Sequence, residues 1–159
     1  MRIASWCVTV GTVIFLSPLC FQSTVSAGPI HHAAKAGDAE EVEHLIASGT
    51  HVDERDLSEK TPLHWAADAG KAKVAQLLVA KGANVNARDF NGWAVLSAAA
   101  LAGDKSIVEL LINAGAEVNY GEGADITPLD DATRMGYEDI VDLLRRHGAR
   151  CGTNAIYSC

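Results

Sequence analysis

Thr61-Pro62-Leu63-His64-Trp65-Ala66-Ala67-Asp68-Ala69-Gly70 opens a unit that runs on to Asp89, and its landmarks return every 33 residues through the chain. Gly37, Gly70, Gly103 and Gly136 form one series at that spacing, and Gly49, Gly82, Gly115 and Gly148 a second, 12 residues behind the first. The apolar positions keep the same step: Ile30, Leu63, Leu96 and Leu129; Ala33, Ala66, Ala99 and Ala132; Leu45, Leu78, Leu111 and Leu144. Four copies without insertion or deletion predict a stacked array, because a unit this small buries its apolar face only against its neighbours.

Within the unit, Thr61 is suited to cap a helix and Pro62 to its first turn, where a missing N–H costs nothing. Leu63, Ala66 and Ala67 then share a face at helical spacing, and Gly70 supplies the left-handed residue that stops the helix. A second helix carries Val74, Leu77, Leu78 and Val79 as its buried stripe and ends at Gly82. The turn formers after it, from Ala83 to Gly92, predict a projecting finger with a tight turn over Asp89 to Gly92. Val74, Ile107 and Ile140 align with Glu41, Leu77, Leu110 and Leu143 with His44, and Ile46, Val79 and Ile112 with Arg145. These columns turn polar only where no further copy covers them, so the first and fourth copies are expected to cap a complete array.

The quoted unit, continued by Val74, Leu77-Leu78, Gly82-Ala83, Val85-Asn86 and Asp89, resembles an ankyrin repeat across its whole length, and the resemblance covers residues 28 to about 150. It implies an all-α ankyrin-repeat solenoid of helix-turn-helix pairs with projecting β-hairpin fingers. The repeats fall at 28–60, 61–93, 94–126 and 127–150, with a tail over 151–159. The first copy has Gly28-Pro29-Ile30-His31, the third Ala94-Val95-Leu96-Ser97 and the fourth Thr127-Pro128-Leu129-Asp130. In this family the motif histidine is a structural hydrogen-bonder between loops, so Ser97 and Asp130 are expected to cost local rigidity and not the fold.

Ahead of the array, residues 1–27 carry one charge, Arg2, then an apolar run from Ile3 to about Leu19, then small and polar residues ending Val25-Ser26-Ala27. That order predicts a secretory signal peptide cleaved before Gly28. An uncleaved anchor fits less well, since the run is short for a bilayer and broken by Gly11, Ser17 and Pro18. A lipid-attachment site would want a small residue before Cys20, where Leu19 stands. Cleavage after Ala27 leaves 132 residues, four times 33, with 12 basic against 20 acidic side chains and a net charge of −8. Such a domain repels polyphosphate backbones and anionic membranes, which leaves a periplasmic or secreted monomer without nucleic-acid or membrane partners as the expectation. Arg145-Arg146-His147 is read as cations complementing a helix end.

No catalytic constellation stands out, and neither a cofactor nor a metal is expected. His31 falls at the structural motif position and His32 on the neighbouring helix position, and Gly121-Glu122-Gly123 lacks the third glycine and preceding strand of a phosphate loop. In the exported part Cys151 and Cys159 span the length of one finger, which suggests a disulfide worth roughly 2–3 kcal/mol in the chain-entropy estimate. The alternatives are a redox accessory or enzyme working through these two cysteines, and an exported effector acting in another cell, where the bridge would be reduced. What the resemblance implies is a concave ledge of fingertips and first helices that binds another protein. By register, its variable positions include Arg55, Leu57, Lys60, Arg88, Phe90, Trp93, Leu101, Tyr120, Ile126 and Arg134. Aromatics and arginines dominate most protein interfaces, so Phe90, Trp93 and Tyr120 are the leading anchors, set against packing between neighbouring fingers.

Overall fold

Proline at the start sets the first helix of three copies, and glycine at or just past the end stops that helix in all four. In the computed structural model, which describes residues 28–120 and 126–152, Pro29, Pro62 and Pro128 occupy the opening turns of α1 (Pro29–Ala36), α3 (Pro62–Asp68) and α7 (Pro128–Met135). The remaining first helix is α5 (Val95–Ala102). The second helices are α2 (Ala39–Ala47), α4 (Ala72–Ala80), α6 (Lys105–Asn113) and α8 (Glu138–Arg146). Asp38 and Asp104 cap α2 and α6 by accepting from the Glu41 and Ile107 N–H groups at 3.0 and 3.1 Å. Lys71 and Tyr137, which hold the same column, make no such cap. Tyr137 instead lies over Gly103, where an added Cβ would meet its ring at 2.6 Å.

The helices form two layers. α1, α3, α5 and α7 pack in succession, α2, α4, α6 and α8 do the same behind them, and each first helix packs on its own second helix. The alanine columns lie between the first helices and are buried throughout, so small side chains permit the close spacing. Leu63, Leu78, Leu96, Leu111, Leu129 and Leu144 are fully or almost fully buried in one continuous core. Removing each from water stabilises by roughly 1.5–3 kcal/mol. On α4 the buried stripe consists of Val74, Ala75 and Leu78. Leu77 and Val79 are only half-buried, because they face the sides of the layer and not its centre. In the first and fourth copies Glu41, His44 and Arg145 are exposed.

Polar clamps tie successive copies. Asn86 donates to the Gly115 carbonyl (3.3 Å) and accepts from the Glu117 N–H (2.9 Å). Asn119 repeats this with Gly148 (3.0 Å) and Arg150 (2.7 Å). Asp53, in the same column, has only acceptors and takes the Asn84 N–H at 3.0 Å.

The expected fingers close as tight hairpin turns and carry no strand among the described residues. Among the described residues a single antiparallel bridge, Arg88 with Ala94, joins the arms of one finger. The arms are too short to pair further, and the tip closes through its own hydrogen bonds: Gly92 N–H to the Asp89 carbonyl (2.9 Å), with Asp89 Oδ1 accepting from Asn91 (2.8 Å) and Trp93 (3.0 Å). Asp56 organises the preceding finger in the same way through Ser58 and Lys60. The expected signal peptide, Gly121-Glu122-Gly123 and Cys159 lie outside the described residues. No helix among the described residues is long and apolar enough to cross a membrane.

Candidate protein-binding surface

The site is built on a column of polar residues at the start of each first helix. In the second copy His64 is buried, accepts at Nδ1 from the Thr61 N–H (3.1 Å) and hydroxyl (2.9 Å), and donates from Nε2 to the Trp93 carbonyl (3.2 Å). This bond ties α3 to the end of the finger that leads into α5. Burial holds the His64 imidazole below its usual range, against the opposing pull of the Trp93 carbonyl and the Asp89 and Asp68 charges. His31 makes the matching contacts to the Glu54 and Lys60 carbonyls at 2.9 and 3.2 Å. Among the described residues its Nδ1 has no hydrogen-bond partner, and Gly28 brings no hydroxyl to it. His32 is exposed.

In the fourth copy the polarity is inverted. Asp130 accepts from the Thr127 N–H (2.9 Å) and hydroxyl (2.8 Å), and where a histidine would donate to a carbonyl it accepts the Gly152 N–H at 2.9 Å. The start of the tail is thereby drawn onto α7, with Gly152 buried and Cys151 half-buried against the core. The third copy has neither partner. Ala94 and Ser97 replace the threonine and the histidine, and both are buried.

Beside Ser97 there is a cavity of about 240 Å³, bounded by Asn91, Trp93, Tyr120, Ile126 and Asp131 among others. Asp131 is 1% exposed, and its Oδ1 pairs with Arg134 at 2.9 Å. Burial pushes its carboxyl up to about 6; Arg134 opposes that shift, and the neighbouring Asp130 charge adds to it.

The residues expected on the ledge separate into two groups. The cations are engaged within the fold. Arg55 reaches the Glu59 carboxylate (2.9 Å) and the Arg88 carbonyl (2.9 Å), and Lys60 pairs with Asp68 (2.6 Å). Arg88 lies 3.9 Å from the Tyr120 ring centroid and 3.5 Å from Glu117. The apolar members are displayed: Phe90 is 78% exposed, Leu57 68%, Ile126 53% and Trp93 41%. Met135 is exposed as well, while Leu101 and Tyr120 are half-buried. Leu57 and Phe90 sit on adjacent fingers joined by the Phe90 N–H to the Ser58 carbonyl (2.8 Å). Packing between fingers therefore does not account for Phe90. Trp93, Tyr120 and Ile126 meet at the cavity, whereas no contact of the described residues brings Leu101 to it.

Trp65 is engaged by both a hydrogen bond and two cations. Its Nε1 donates to Asp56 (2.9 Å), and Lys35 and Lys60 stand 4.8 and 5.7 Å from its ring centroid. Asp131 was hidden from sequence reasoning, although it shares a column with His32, Trp65 and Ala98 and is the one acidic residue there.

The family model for ankyrin repeats (3 copies) matches residues 17–89 and 88–155. The chain belongs to the ankyrin-repeat family. Among 523 matching chains of solved structures, the crystal structure of the human ASB11 ankyrin repeat domain is 27% identical, with a TM-score of 0.73. The match covers 78% of this chain and 56% of that one, so this ankyrin-repeat protein spans about half of the human domain. No curated protein matches it in sequence. Ankyrin repeats generally mediate protein–protein interaction, and their wide occurrence among solved structures leaves the partner to be argued from the surface.

Proposed function

We propose that this chain is an exported, non-catalytic ankyrin-repeat module that holds a protein partner on its finger and inner-helix surface. The observation that carries the reading is the division of labour on that surface. Arg55, Lys60, Arg88 and Arg134 are each consumed by an ion pair within the fold. Leu57, Phe90, Trp93, Ile126 and Met135 stay exposed on it. Large apolar side chains held out by a rigid scaffold are characteristic of an interaction surface, since a monomer gains nothing from displaying them. The exposed polar ends at Glu41, His44 and Arg145 support a monomer that does not extend by stacking.

Export rests on the order of residues 1–27 and on Cys151 and Cys159, which we pair as a disulfide closing the tail. Phe90→Ala together with Trp93→Ala is expected to abolish crosslinking of a partner in the native compartment while leaving thermal unfolding nearly unchanged. Unfolding that moves while capture persists would assign both side chains to the core. N-terminal sequencing of the purified protein tests export, with Gly28 the expected first residue.

A further inference from the structure

The cavity beside Ser97 has a cause that can be traced through the columns. His64 spans from α3 to the Trp93 carbonyl, 29 residues on, with its ring between successive fingers. The residue 29 positions beyond Ser97 is Ile126, and serine is too short to make that span. Both Ser97 and Ile126 line the cavity, so the empty space lies where the motif would place an imidazole.

Three features give the space a chemical preference. Asp131 has one oxygen on Arg134, and no hydrogen bond among the described residues reaches the other. The Ser97 hydroxyl and the Ile126 carbonyl likewise receive none. Ser97 and Asp131 are both more than nine-tenths buried as residues, and what they still expose opens onto the cavity they line. Trp93 and Tyr120 line the same space, and the Tyr120 ring already takes the Arg88 guanidinium at 3.9 Å from its centroid. A lining that combines acceptors with two aromatic rings suits a planar cation with several N–H donors better than a compact ammonium, which cannot stack.

From this geometry we infer that the cavity between the third and fourth copies receives one arginine side chain of the protein partner, its guanidinium donating to Asp131 and lying against Trp93 and Tyr120. The inference rests on the interaction reading above and commits that surface to a partner with an exposed arginine. The net charge of −7 over the whole chain favours approach by such a basic segment. The guanidinium takes the place left by the missing histidine, so the partner completes a column that this chain leaves open.

The test uses the full chain and a small probe, N-acetyl-arginine N-methylamide, with its neutral citrulline isostere as the comparison. The Trp93 indole signal is followed by NMR, and Trp65 serves as the internal control. Saturable movement of Trp93 alone is expected, with the citrulline compound at least about tenfold weaker, the factor carried by one charge-assisted hydrogen bond. Asp131→Asn should lose a similar factor. Ala94→Thr with Ser97→His restores the motif, fills the space with a ring and should eliminate the response. Equal binding of citrulline, an unchanged response in the motif-restored variant, or no saturable movement in the native chain overturns the inference. The broader interaction reading fails separately, if Phe90→Ala with Trp93→Ala leaves partner crosslinking intact.

Discussion

At the scale of single residues, two positions are held in states that their side chains do not favour. Glu59 has φ +60 at the fingertip position that Gly92 occupies, at +82, in the next copy. A side chain in this left-handed region costs about 1 kcal/mol, and glycine pays no such steric penalty. The Glu59 carboxylate pairs with Arg55, but that pair is exposed and contributes only about 0.5 kcal/mol. Arg55 keeps its bonds to the Glu59 and Arg88 carbonyls in any case. Glu59→Gly is therefore expected to stabilise by roughly 0.5 kcal/mol, visible as a midpoint rise of a degree or more on heating. The second position is Asp131, whose carboxyl rises from 3.8 to about 6 on folding, chiefly through burial. A raised carboxyl contributes its full stability below 3.8 and loses it as pH rises through about 6. The unfolding free energy of Asp131→Asn minus that of the native chain should accordingly stay flat below pH 3.8, climb up to about pH 6 and level off above it. Urea titrations across that range check this, and a difference independent of pH would show that folding leaves the carboxyl unperturbed.

At the scale of elements, the clamp column explains why some of the structure was legible in the sequence and some was not. The 33-residue step makes every helix contact a contact between equivalent positions, so Leu63, Ala66 and Leu111 could be placed in the core from spacing alone. Fingertips were legible as turns because Asp56 and Asp89 bond to their own loops. That their arms carry no strands among the described residues was not, since pairing depends on how far two short arms run together. The engagement of Arg55, Lys60 and Arg88 depends on side-chain conformations across copies, which a column does not reveal. The cavity was also hidden, because it follows from what Ser97 lacks and from an acidic neighbour on the same helix. In the clamp column, Asn86 and Asn119 both donate and accept across the copy boundary, whereas Asp53 only accepts. Asp53→Asn would add a donor aimed at the Gly82 carbonyl, the position matching Gly115 and Gly148. A gain of about 0.5–1 kcal/mol is expected from one further hydrogen bond. Chemical denaturation checks it, and a loss of stability would mean that the charge of Asp53 serves the first copy in another way.

At the scale of the whole molecule, each helix pair packs chiefly on the copies beside it, so the stability of the array is a sum of local interfaces and the weakest one sets where opening begins. The first and fourth copies are not attached to the array in the same way. His31 ties α1 to the Glu54 and Lys60 carbonyls just ahead of α3, and His64 ties α3 to Trp93 just ahead of α5. Among the described residues no such tie joins α5 to α7, and a cavity of about 240 Å³ takes its place. Asn119 still clamps this boundary, as does packing against Leu129, so the fourth copy is weakened and not detached. Native-state hydrogen exchange should find α7 and α8 of the native chain opening at about 1 kcal/mol lower free energy than in Ala94→Thr with Ser97→His, the contribution of one buried hydrogen bond. The first copy, whose boundary carries the His31 tie but lacks a donor at Asp53, should keep the same protection in both chains. Equal protection of α7 and α8 in the two chains would show that the vacancy costs the array nothing, and that Ser97 marks no weak boundary.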